Sequence, residues 1–207
     1  MASRQTKGEK TRNHIKQTAK SKIISNGFSA TSMRDIAEAT GISPATIYNH
    51  FKGKNELFEI LIKESFPMEE IAVEMTADYG ENPLDFIRGV IKRLVELLLN
   101  NEDYIRLSLI DAQERQGKSI QKVMPRMVPL FTGALMKLRK DDKEKILKNI
   151  PPEAFLRVLV SLVFGYVITE FIAQPSTVLN LPDIDWVESL VDIFMYGVVN
   201  PEASPVR

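Results

Sequence analysis

The chain has 207 residues, enough for one or two compact units with a sizeable core. Hydrophobic residues make up 44% and charged ones 26%, the balance of a soluble globular protein; the absence of cysteine excludes disulfides, thiolate metal sites and cysteine nucleophiles. Net charge is zero, yet residues 1–63 hold 11 Lys and Arg against 5 Asp and Glu, so a +6 first third precedes a −6 remainder, as suits a phosphate-seeking head on a body with no such task.

Residues 1–9 are polar and lack the apolar stretch of a signal peptide, which favours a cytoplasmic location. Arg4, Lys7 and Lys10 offer a loose arm within reach of phosphate. Residues 10–26 read as a helix with Ile15, Ala19 and Ile23 at four-residue spacing, stopped by Gly27. Next, Ser32 and Asp35 stand at the spacing of a capping box, and Ile36 and Ala37 give the following helix a small apolar face. Gly41 supplies a residue tolerant of the left-handed conformation just past its end. Ser43-Pro44 restarts the chain as an N-cap followed by proline at the first helical position. Helix, glycine turn, helix is the outline of a helix-turn-helix, whose second helix lies in the DNA major groove; a hairpin used only for packing has the same outline.

The side chains of the second helix favour DNA. Ile47 and Phe51, four apart, form a stripe that seats it, while Ala45, Thr46 and Asn49 fall on other faces. A threonine offers a hydroxyl and a methyl to base edges, and asparagine pairs with adenine. Tyr48, His50, Lys52 and Lys54 supply phosphate donors, which position the protein without choosing sequence.

Residues 54–78 read as a long helix kinked or broken at Pro67, and Gly80 to Pro83 as a break. Helices follow over 84–99, over 103–116 up to Gly117, and over 119–138 with Pro125 and Pro129 inside; the charge run 141–148 reads as a solvated segment. Phe155–Ala173 is nearly all apolar for 19 residues, close to the roughly 20 that span a bilayer, but Arg157 and Glu170 lie within it. A helix apolar all round is also expected where its own domain buries one side and a partner the other. Trp186, Leu190, Ile193, Phe194 and Val198 give the last helix a matching face. The pair reads as a homodimer interface including Leu162, Gly165 and Tyr166, with no membrane involved, before a loose tail over 201–207. No segment has the alternation of a sheet strand, so the fold class is all-α.

The head resembles the DNA-binding domain of the TetR (tetracycline-repressor) family of transcriptional regulators. Gly27-Phe28, Thr31-Ser32, Asp35-Ile36-Ala37, Gly41-Ile42-Ser43, Ile47-Tyr48, His50-Phe51-Lys52, Lys54 and Leu57 fall at that family's motif positions in order and without a gap. The resemblance covers residues 10–60. It implies that Tyr48, His50 and Lys54 contact phosphates and that Pro44, Ala45, Thr46 and Asn49 occupy base-facing positions. Pro44 departs from the glycine, lysine or polar residue frequent near its place. Ser32, Arg34 and Ser43 complete the expected DNA-facing set. The resemblance further implies dimerisation through the last two helices. It also divides the chain into a helix-turn-helix domain over 1–53 and a helical ligand-binding and dimerisation domain over 54–200. Candidate linings for an unknown small apolar effector are Phe86, Tyr104, Leu107, Gln113, Met127, Phe131 and Phe164. The expected function is repression at a palindromic double-stranded DNA operator, relieved by that effector. No metal-ligand cluster, phosphate-cradling glycine loop or nucleophile elbow is present, so neither a cofactor nor a catalytic set is expected. The alternative is a small all-α enzyme using Glu170 as a buried carboxylate.

Overall fold

The computed structural model describes residues 6–77, 82–142, 146–173 and 184–199. Among these the fold is all-α, with ten helices and an isolated β-bridge between Leu147 and Val199. The helices are α1 Lys7–Asn26, α2 Met33–Thr40, α3 Pro44–His50, α4 Lys54–Ser65, α5 Met68–Thr76, α6 Pro83–Leu99, α7 Glu102–Arg115, α8 Ile120–Asp141, α9 Pro152–Ala173 and α10 Trp186–Val198.

Local chemistry sets the helix ends. Helix α1 starts ahead of residue 10 because Thr6 and Glu9 form a capping box: the Glu9 N–H donates to Thr6 Oγ1 at 3.2 Å and the Thr6 N–H to Glu9 Oε2 at 2.7 Å. Lys7 and Lys10 are therefore helical, not part of the loose arm expected from the sequence; Arg4 lies outside the described residues. Ser32 and Asp35 repeat the box at α2, and these hydrogen bonds hold the Asp35 carboxyl below the usual carboxylate range. Pro67 lacks an N–H to continue the ladder, and the long helix expected over 54–78 divides there into α4 and α5. Pro125 and Pro129 lie within α8 without ending it. The charge run is only partly solvated: the Asp142 carboxylate accepts from the Ile146 and Leu147 N–H groups at 2.8 and 2.9 Å, and Ile146 is buried. Gly80, residues 143–145 and the tail lie outside the described residues.

The chain forms two compact units, Met1–Phe66 with Asn101–Met124 and Pro67–Asn100 with Pro125–Arg207. This structural division differs from a functional one at residue 53, because α4 and α7 pack with α1 in the first unit. Its core joins Ile15, Ala19 and Ile23 of α1 to Ile36, Ile47, Phe51, Leu57, Phe58 and Ile62, with Ile105 and Leu107 added by α7. Burying side chains of this size contributes about 1.5–3 kcal/mol each, which holds three short helices that would be marginal alone. Helix α7 also buries polar groups. Asp111, fully enclosed, accepts from the Ser119 and Ile120 N–H groups at 2.9 and 3.0 Å and so caps the start of α8.

In the second unit, α6 packs against α5, α9 and α10, burying Ile87, Val90, Ile91, Leu94 and Val95. Phe155 of α9 meets Phe194 of α10 edge to face with ring centroids 5.4 Å apart. Phe194 is thus buried in its own unit and does not lie on the open face expected for a dimer contact.

Candidate nucleic-acid interface

The turn between α2 and α3 is built as its residues demand. Gly41 takes the left-handed conformation (φ 66°, ψ 21°), and its N–H donates to the carbonyls of Ala37 and Glu38. Ser43 then caps α3, accepting the Thr46 N–H at 3.2 Å, with Pro44 at the first position. Ile47 and Phe51 anchor α3 in the core. At its far end the Arg12 guanidinium donates to the His50 carbonyl at 2.6 Å and lies over the Phe51 ring, 4.3 Å from its centroid. The helix is therefore held at both ends by groups from its own unit.

With Ile47 turned inward, the opposite face is free. Pro44, Ala45, Tyr48 and Asn49 are exposed, Tyr48 to 54%, which leaves its hydroxyl and the Asn49 amide in solvent. Thr46 and His50 are half-buried, and the Thr46 hydroxyl lies 2.9 Å from Ser43 Oγ, so readout by Thr46 has to share that bond. Ser32 and Arg34 are exposed at the start of α2, and Ser43 is exposed at the cap of α3. Lys52 is exposed; its backbone N–H donates to the Glu56 carboxylate, which holds the turn into α4.

Lys54 has a fixed position. Its ammonium donates to the Phe28 carbonyl at 2.7 Å and sits 4.3 Å from the centroid of the Phe28 ring. Burial pulls the ammonium below the usual lysine value, and the nearby Glu114 carboxylate opposes that shift. Around the same ring stand Phe58, edge-on at 5.0 Å, and the Arg115 guanidinium at 4.6 Å. Glu114 completes the cluster: its carboxylate accepts the Phe28 N–H at 3.1 Å and the Ser29 N–H at 2.6 Å, and the bonds from Ser29 hold its carboxyl below the usual range. Gly27 makes room for it. With φ at 88°, a side chain is already disfavoured there, and a Cβ would lie 2.7 Å from Glu114 Oε1. Arg12, Glu114 and Arg115 have no sequence signal, because each acts on residues far along the chain.

The expected effector-lining residues do not come together. Phe86 and Phe131 line a cavity in the second unit with Met75, Val90, Leu135 and Phe155, about 420 Å³ of empty space including its open mouth. Its walls are apolar and aromatic throughout. Met127 and Phe164, half-buried in the same unit, are not among its walls. Tyr104 and Leu107 are core residues of the first unit, and Gln113 is exposed on α7, so these three do not belong to this cavity. They face away because the helical spacing that marks a lining residue marks a core residue equally. Glu170, the candidate acid–base group, is half-buried and takes a hydrogen bond from the Tyr166 phenol.

Helix α9 is long and apolar enough to cross a membrane, and most of its length is left uncovered by its own unit. Val158 and Gly165 are exposed on it, with Leu162 and Tyr166 half-buried; on α10, Ile193 and Tyr196 are exposed to 69% and 73%, beside Trp186 and the half-buried Leu190.

Residues 15–61 match the family model described as bacterial regulatory proteins, tetR family. A stretch of 102 residues is 34% identical to the HTH-type transcriptional regulator AcrR of Shigella flexneri, covering 48% of this chain and 47% of that protein; the match thus spans about half the length of that relative. Among solved structures, NalD of Pseudomonas aeruginosa, the secondary repressor of the MexAB-OprM multidrug efflux pump, is 26% identical with a TM-score of 0.68, covering 93% of this chain and 98% of that one. The ketosteroid transcriptional regulator KstR2 of Mycobacterium tuberculosis shares the fold at 16% identity, with a TM-score of 0.59 over 91% of this chain and 95% of that one. With their capped, core-anchored helix-turn-helix, residues 15–61 form a domain of the tetR family of bacterial regulatory proteins.

Proposed function

We propose that this protein is a cytoplasmic, homodimeric transcriptional repressor that leaves a palindromic operator when a small apolar effector binds. The observation that carries the reading is helix α3, seated through Ile47 and Phe51 and presenting Tyr48, Asn49 and the Pro44–Ala45 start to solvent. Tyr48, His50 and Lys54 hold phosphates, Thr46 and Asn49 meet base edges, and Ser32, Arg34 and Ser43 flank them. Repression is supported by the relative NalD, itself a repressor.

The uncovered apolar faces of α9 and α10 support the dimer reading. Exposed Ile193, Tyr196, Val158 and Trp186 need a cover, and a second copy of the same surface supplies one. The two copies of α3 would then enter successive major grooves about 34–36 Å apart. The described residues lining the cavity beside α5, α6, α8 and α9 all have apolar side chains, which suits an uncharged apolar effector. Coupling of about 1–3 kcal/mol between effector and spacing changes operator affinity about 5–150-fold.

Selection of binding sites from random duplex DNA by the purified protein tests this. A palindromic consensus is expected, and Asn49→Ala should relax it at particular bases. Binding without sequence preference would overturn the operator reading, and an unaltered consensus in the variant would remove Asn49 from direct readout.

A further inference from the structure

We infer that Glu114 is a positioning residue for DNA binding: from the last turn of α7 it clamps the turn between α1 and α2, and through Phe28 it aims Lys54 at a phosphate. This rests on the DNA-binding reading above. The links are all within the first unit. One carboxylate accepts two consecutive backbone N–H groups, Phe28 at 3.1 Å and Ser29 at 2.6 Å, and the carbonyl of the same Phe28 accepts the Lys54 ammonium at 2.7 Å. The Phe28 ring, wedged between Phe58 and the Arg115 guanidinium, forms the floor under that ammonium. An ammonium has three N–H donors, and the carbonyl takes one, so donors remain for a phosphate oxygen. Held in this way, Lys54 does not have to lose side-chain freedom when DNA arrives.

Gly27 lies against the same carboxylate. A Cβ at that position would fall 2.7 Å from Glu114 Oε1, so a side chain there displaces the carboxylate from its place. Helix α7 is not part of the helix-turn-helix, yet it delivers the charge that orders the turn entering it. A purely structural clamp would stabilise the fold without changing how many phosphates the head engages.

The test is a double-mutant cycle of Glu114→Gln and Lys54→Ala, read as affinity for a short mixed-sequence DNA duplex across roughly 50 to 200 mM salt. If Glu114 acts through Lys54, Glu114→Gln alone weakens binding by up to about eightfold per head at 0.1 M salt, the worth of one phosphate contact, and flattens the salt dependence by about one. In the Lys54→Ala background it then has no further effect. Additive losses, or a weaker affinity with an unchanged salt slope, would overturn the proposal. Should Glu114→Gln fail to fold, Glu114→Asp, which keeps the charge but shortens the reach, takes its place in the same cycle, and the same two results support or overturn the proposal. A wild-type protein that ignores the duplex would instead refute the DNA-binding reading itself, so the two failures are distinct.

Discussion

Replacing Gly27 with alanine separates backbone strain from the loss of a specific partner. Gly27 stands at φ 88°, ψ 162°, a region that is essentially glycine-only and costs another residue about 1–3 kcal/mol. Gly41 is the natural reference, since at φ 66°, ψ 21° alanine pays about 1–2 kcal/mol and its Cβ meets nothing within 4 Å. At Gly27 the new Cβ also arrives 2.7 Å from Glu114 Oε1. The carboxylate sits at the end of a flexible side chain and can swing away, but it then releases the Phe28 and Ser29 N–H groups. Each net hydrogen bond of this kind contributes about 0.5–1.5 kcal/mol, so losing the two should make Gly27→Ala cost about 1–3 kcal/mol beyond its backbone strain. Urea denaturation of both variants, and of Gly27→Ala combined with Glu114→Ala, measures this. The clash term should vanish in the double variant, leaving a coupling of about 1–3 kcal/mol. A Gly27→Ala variant no less stable than Gly41→Ala, or strict additivity with Glu114→Ala, would refute the reasoning.

Other outcomes follow from the same structure. Tyr48→Phe and Lys54→Ala should weaken binding to every DNA sequence, the lysine change also lowering the salt slope by about one; unchanged affinity in both would remove their phosphate roles. Ile193→Asp should yield a monomer in sedimentation at micromolar concentration, whereas a wild-type monomer there would contradict the interface assigned to α9 and α10. Burial pushes the Tyr104 phenol up, and burial with the Glu170 hydrogen bond pushes Tyr166 up to about 12. Because both phenols titrate above the unfolded value of about 10, their contribution to stability is whole below that pH and is lost as pH rises past it, for Tyr166 towards about 12. Urea midpoints that do not fall across that window would contradict it, and Tyr166→Phe should blunt the fall.

The head is legible because its information is local. Capping boxes, a glycine beyond a helix end and a proline at a first turn each act within about four residues, so Ser32, Asp35, Gly41, Ser43 and Pro44 announce their geometry before any packing is known. The start of α1 is equally local, but its Thr6–Glu9 box lies in a short polar stretch whose composition also suits a loose arm.

The all-α class, the order of the helices and the capped helix-turn-helix outline were determined by the sequence alone, through periodicity and end signals that need no distant partner. Tertiary structure decided which apolar faces meet. It placed Tyr104 and Leu107 in the core of the head's unit, left Phe86 and Phe131 at the cavity, and turned Phe194 inward against Phe155. It also brought Glu114 and Arg115 onto Phe28, more than eighty residues earlier in the chain. The physical reason is that burial depends only on what lies opposite a side chain, and helical spacing is the same whether that is a core, a ligand or a second subunit.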